Sequence, residues 1–210
     1  MIMTTIEKLP VVMPAGWVPG PKQGQWTYQD YASIPEDGHH YEIVNGVLYM
    51  SPAPSMGHQR IVGWIFYYLV THIDIPGFGQ VYQAPTDVEL SPGDVVQPDV
   101  FVVLNPHLDR ITPSRLIGAP DLAVEVASPR TARHDLSDKL YAYARAGVPE
   151  YWVVNPDAQT IEVLVGESWI YRSLGLFSGH TTLPSQVVPD FPVRVEQFFV
   201  ERCNHIRDII

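Results

Sequence analysis

At 210 residues, with 46% hydrophobic and 17% charged residues, the chain can bury a sizeable core as a globular protein and is not a disordered segment. A formal net charge of −10 excludes a surface that holds nucleic acid by bulk electrostatics, though not a local basic patch or an electropositive metal site. One cysteine, Cys203, leaves no internal disulfide; no apolar run spans a membrane and no basic leader precedes residue 6, so a cytoplasmic protein is expected.

In chain order, residues 1–25 read as a flexible N-terminal arm rich in proline and glycine, free or draped on a neighbouring subunit. Residues 26–200 read as a single domain and 201–210 as a C-terminal tail. Thr27 caps a short helical turn. Tyr41 to Met50 is a hairpin, because Asn45-Gly46 supplies the two positive-φ residues of a tight turn between alternating apolar residues. Glu42 lies on its first strand, and by residue chemistry alone it is a solvent-facing carboxylate.

Ser55 caps a helix running to about residue 72, with Ile61, Ile65, Leu69 and Ile73 on one stripe. His58 is in register with that stripe and faces inward, where a histidine is more often a packed residue than a ligand. Extended pieces follow at 80–84 and 86–90, then a turn at Ser91-Pro92-Gly93-Asp94. A strand begins at Asp99, a proline-containing loop covers 105–120, and a second strand covers 121–127. A helix over 132–146 stops at Gly147, with Pro149 just beyond. A strand at 151–154 precedes a hairpin, 160–165 and 169–173, turning around Gly166-Glu167-Ser168, and a helix falls near 195–201.

Three charges stand where burial is expected: Asp99 at the head of Val100-Phe101-Val102-Val103-Leu104, Glu125 within Leu122-Ala123-Val124-Glu125-Val126-Ala127, and Lys139 at the edge of a helical apolar stripe. An unpaired carboxylate there would cost several kcal/mol. Glu125 shares its face with the small Ala123 and Ala127, which leaves room for an ion, water or substrate. Two carboxylates at one end of adjacent strands repel. A divalent cation resolves the repulsion, and hard oxygen donors without cysteine suit magnesium or manganese. The plainer reading is a buried Asp–Lys or Glu–Lys pair that fixes register, which leaves the second carboxylate unexplained.

The element order, helix, three strands, helix, strand, resembles the core of restriction-endonuclease-like PD-(D/E)XK nucleases. Within that superfamily the chain resembles the Uma-two family of endonucleases. The matching segments are Tyr41-Glu42-Ile43-Val44-Asn45-Gly46, Pro54 to Gln59, and Gln97-Pro98-Asp99-Val100. They continue with Pro120 to Pro129, Asp138-Lys139 to Tyr143, and Gly147 to Trp152. The resemblance implies an α/β (α+β) fold: an αβββαβ core whose central mixed sheet is flanked by helices, with N-terminal and C-terminal β-hairpins. It makes Asp99 and Glu125 metal-binding acids, adds Glu42 as a third acid, and places His58 beside them. The lysine usually found two residues after the second acid is replaced by Ala127, and the resemblance assigns that role to Lys139. The implied activity is Mg2+- or Mn2+-dependent hydrolysis of phosphodiester bonds in DNA. The alternative is a catalytically inactive nuclease fold serving as an interaction or nucleic-acid-binding module. The arm and the aromatic C-terminal hairpin suggest a homodimer.

Overall fold

A computed structural model describes residues 12–127 and 138–200. The described residues open with β1 (Met13–Pro14), the single turn α1 (Tyr28–Tyr31) and the hairpin β2 (His40–Val44) and β3 (Val47–Ser51). Asn45 and Gly46 take φ of 54° and 70°, the mirror-image turn whose twist matches that of the flanking strands. Thr27 is the N-cap of α1, and Asp30 in its first turn accepts from the backbone N–H and the hydroxyl of Thr27 at 3.0 and 2.6 Å. The described part of the arm is not free. β1 pairs antiparallel with β3, Ala15 donates to the Leu48 carbonyl at 2.8 Å, and Trp26 is buried among Tyr41, Ile43 and Leu48. Apolar arm residues gain more by covering the exposed side of this hairpin than by staying in water.

Next come α2 (Met56–Leu69), which runs into a π-helical turn over Val70–Asp74, then β4 (Gly79–Gln83), β5 (Asp87–Ser91), β6 (Asp94–Val96) and β7 (Val100–Leu104). They are followed by β8 (Arg115–Ile117), β9 (Leu122–Val126), α3 (Leu140–Ala146), β10 (Glu150–Asn155), β11 (Thr160–Glu167) and β12 (Ile170–Ser178). One sheet has the order β1-β3-β2-β6-β5-β8 and the other β12-β11-β10-β9-β7-β4. In the second sheet β4, β7 and β9 are successive antiparallel neighbours, while β9 and β10 are parallel and joined through α3. Thus α2, β4, β7, β9, α3 and β10 form the expected αβββαβ core with a mixed sheet.

Three local expectations change. The stretch 105–120 is not all loop: Asn105–Arg110 is a 3-10 turn, and β8 pairs in parallel with β5. β6 is a strand of its own, too short to show alternation. The last hairpin turns at Ser168 and Trp169, both with positive φ (50° and 74°). Gly166 instead lies within β11, where a Cβ would come 3.0 Å from the Val148 carbonyl. The expected helix over 132–146 is seen from Leu140 to Ala146, and its first six residues lie outside the described residues. Gly147 ends it with φ 79°, the left-handed conformation glycine adopts without penalty.

Two apolar layers follow from strand alternation. Leu122, Val124 and Val126 of β9 pack in one cluster with Ile61, Val62, Ile65 and Leu69 of α2. Each such buried side chain is worth about 1.5–3 kcal/mol, so burial more than helix propensity holds α2 in place. Ala123 and Ala127 belong to the opposite cluster, with Ala142 and Tyr143 of α3 and Val44, Val88 and Val96 of the first sheet. Glu125, on that face, is therefore enclosed by the second sheet, α3 and the first sheet. No helix among the described residues is long and apolar enough to cross a membrane.

The C-terminal hairpin is fastened to the turn after α3 by Tyr171, whose hydroxyl donates to the Val148 carbonyl at 3.0 Å. Burial pushes this phenol well above the ordinary tyrosine value of 10.0. A raised folded-state pKa contributes stability that is complete below the unfolded value and is lost as pH rises beyond it. Tyr171→Phe should therefore be less stable by about 1 kcal/mol near neutral pH. The gap should shrink as pH rises past about 10, where the unfolded tyrosine ionises. Denaturant titrations of both proteins across that range check it; a constant gap would contradict the assignment.

Candidate active site

Lys139 immediately precedes α3 and is buried. Its Nζ lies 2.8 Å from Glu42 Oε1 and 3.1 Å from Glu125 Oε1. The lysine thus joins an acid of the first sheet to an acid of the second. Glu42 is not solvent-facing but 4% exposed, because Val44 two residues on shares its face and packs into the layer beneath α3. Glu42 Oε1 also accepts the backbone N–H of Gln97 at 2.7 Å.

Asp99 stands just before β7, at the point where the β7–β9 ladder runs out. Pairing reaches Val100 opposite Val124, and beyond it Asp99 Oδ2 accepts the Val126 N–H at 2.7 Å. The carboxylate takes the place of the missing strand partner and lies against the residue that follows Glu125. His58 Nε2 approaches the same Oδ2 at 3.1 Å, reaching across from the first turn of α2. Asp99 Oδ1 carries no hydrogen bond from the described residues. His58 and Asp99 are both 15% exposed, so this end of the site is its wetter end. A cleft of about 300 Å³ opens beside it, lined by His58, Arg60, Ala127, Gln159 and Phe199 among others.

Two supports had no role in the sequence reading. Tyr143 is fully buried on α3, and its hydroxyl donates to Glu125 Oε1 at 2.7 Å. Burial, and after it the Glu125 charge, pushes its phenol well above the tyrosine range. Gln97 bonds through its side-chain amide to Asp87 Oδ1 (2.8 Å) and to the Tyr31 hydroxyl (3.2 Å), which anchors the backbone N–H that holds Glu42. The four-residue spacing of Lys139 and Tyr143 on one helix was the available signal for the tyrosine. The Gln97 contact to Glu42 is main-chain, so nothing in the residue types announces it. The space that Ala123 and Ala127 leave around Glu125 belongs to the cluster containing Tyr143.

The structure therefore brings Glu42, Glu125 and Lys139 together, and pairs Asp99 with His58 at the end of the same strand. Among the described residues, no three His, Cys, Asp or Glu side chains form a ready-made metal cage. The donors nevertheless suit a hard cation. Mg2+ is commonly held by one or two carboxylates, with waters and substrate phosphates completing its shell. Among the described residues, three formal carboxylate charges stand against one lysine in a largely dry site, an excess of negative charge that a cation would offset.

The fold, with its αβββαβ core, is that of a restriction-endonuclease-like protein. The chain belongs to the Uma2 family, described as "Putative restriction endonuclease", whose model matches residues 28–196. The chain is also similar to the crystal structure of "a putative nuclease belonging to DUF820" from Anabaena variabilis ATCC 29413. That likeness has a TM-score of 0.67 at 18% identity and covers 82% of this chain and 97% of the other, which supports the fold. No curated protein sequence matches the chain.

Removing the lysine alone leaves two buried carboxylates without their shared cation. Lys139→Met should destabilise the protein by about 3–5 kcal/mol, the cost of breaking a buried ion pair from one side. Urea unfolding of the variant and wild type measures it. A change below 1 kcal/mol, roughly what an exposed pair is worth, would show that the two contacts are not buried in solution.

Proposed function

We propose that the chain is a metal-dependent endonuclease that hydrolyses phosphodiester bonds in DNA, with Mg2+ or Mn2+ held by Asp99 and Glu125. The observation that carries this reading is the meeting of Glu42, Glu125 and Lys139 beside the strand end that Asp99 closes. Family membership supports the phosphodiesterase class. The bound cation would supply Lewis acidity at the phosphate and a water of lowered pKa.

The chain's own residues have separable tasks. Val126 N–H and His58 hold Asp99 Oδ2, which leaves Oδ1 to meet the cation. Glu125 presents its carboxylate from β9, one residue before the strand's end. Glu42 is pinned by Gln97 and Lys139, which suits it to hold the lysine or to act through water more than to ligate directly. Lys139 orients the attacking water and stabilises charge developing on the phosphate, as a fixed cation in a dry site does most effectively. The cleft beside His58, with Arg60 on its wall, gives the flanking DNA a place to lie.

A second reading, a non-catalytic nuclease fold that binds a partner, is favoured by one observation: Lys139 already offsets part of the charge on Glu42 and Glu125. Cleavage of plasmid and single-stranded DNA with Mg2+ or Mn2+ separates the two. Under the nuclease reading, Asp99→Ala and Lys139→Ala each slow cleavage by at least about 100-fold, the usual cost of losing a group that stabilises developing charge. Equal activity in wild type and both variants would sink it, and absence of any cleavage together with absence of Mn2+ binding favours the module.

A further inference from the structure

We infer that Tyr143 is a positioning residue for Glu125, fixing one carboxylate oxygen so that the acid meets a divalent cation in a single orientation. The inference rests on the metal-dependent reading above. Its basis is geometric. Glu125 Oε1 accepts the Tyr143 hydroxyl at 2.7 Å and faces Lys139 Nζ at 3.1 Å. Lys139 and Tyr143 stand four residues apart, so α3 delivers a cation and a neutral donor to the same atom. The Tyr143 ring is itself held, at 0% exposure and with its centroid 5.0 Å from that of Tyr151. A layer that needed only an apolar filler at this position would be served by phenylalanine. A buried phenol must find an acceptor, and this one finds a carboxylate of the site.

The two donors differ in what they do to a cation. Lys139 orients Glu125 but also opposes a second positive charge nearby. Tyr143 orients the same oxygen with no charge of its own, so its removal takes no formal charge from the site and loosens the hold on that oxygen. Groups that hydrogen-bond a metal's ligands typically account for about 10–100-fold of metal affinity.

The test is calorimetric titration of the full chain with Mn2+, without DNA. Tyr143→Phe removes one oxygen and no ring volume, and should weaken Mn2+ binding by about 10-fold or more. Tyr143→Met, which also keeps an apolar filler, should show the same loss should the first variant fold poorly. Tyr171→Phe removes a hydroxyl from the neighbouring ring stack and should bind Mn2+ as the wild type does. Wild-type affinity in both Tyr143 variants, with binding abolished in Asp99→Ala, overturns the positioning role and leaves the metal reading standing. No Mn2+ binding by the wild type overturns the metal reading and this inference with it.

Discussion

The buried contact of Lys139 with Glu42 and Glu125 is the constraint on which the arrangement of the molecule turns. Glu42 belongs to the hairpin sheet, Glu125 to the αβββαβ sheet and Lys139 to the start of α3, so one ammonium joins three elements. Taking these charges out of water costs several kcal/mol per ion, and their mutual attraction repays that only where hydrogen bonds satisfy the remaining atoms. The supports found here serve that need: the Gln97 N–H on Glu42 and the Tyr143 hydroxyl on Glu125. A cluster of this kind adds little net stability compared with apolar packing. It does specify how the two sheets and the helix face one another.

Other buried acids show what a purely structural carboxylate looks like in the same chain. Glu150, fully buried, accepts from Trp152 Nε1, Ser185 Oγ and the Gln186 N–H, each at 2.6 Å, and so ties the C-terminal segment to β10. Asp121 accepts from the Leu104 N–H and from His107, both at 2.8 Å, and closes the turn after β7. Both satisfy their oxygens with neutral protein donors or a histidine, local to one region of the fold. Glu42 and Glu125 differ by converging on a lysine from separate sheets, and Asp99 differs by having one oxygen with no donor among the described residues. That contrast, more than burial itself, sets the second group apart, and the proposed function builds on it.

Much of this was legible in the residues, because the strongest local rules agreed with the global fold. Asn45-Gly46 could only be a tight hairpin turn, the α2 stripe repeated at helical spacing, and charges inside apolar runs had to be explained. The strands missed, β1, β6 and β8, have two or three residues each, too few for alternation to register. Glu42 looked exposed because alternation on a hairpin assumes one wet face, whereas here the arm covers one side of β2 and the second sheet lies on the other. Tyr143 was hidden by its ring, which reads as core packing, while its contact to Glu125 is made by the hydroxyl. Gln97 was hidden because its contact to Glu42 uses the backbone.

The overall charge and the local site can now be reconciled. A chain of formal charge −10 gains nothing from spreading contact along a polyanion, since association would press like charges together across much of its surface. Under the proposed function, attraction has to be concentrated where the phosphate is to be cleaved. One lysine held between two acids provides a fixed positive charge that cannot wander toward solvent, and the excess carboxylate charge around it provides the reason for a cation to sit alongside. In such a site the acids that make the protein repel DNA at a distance are the same kind of group that makes it competent at contact.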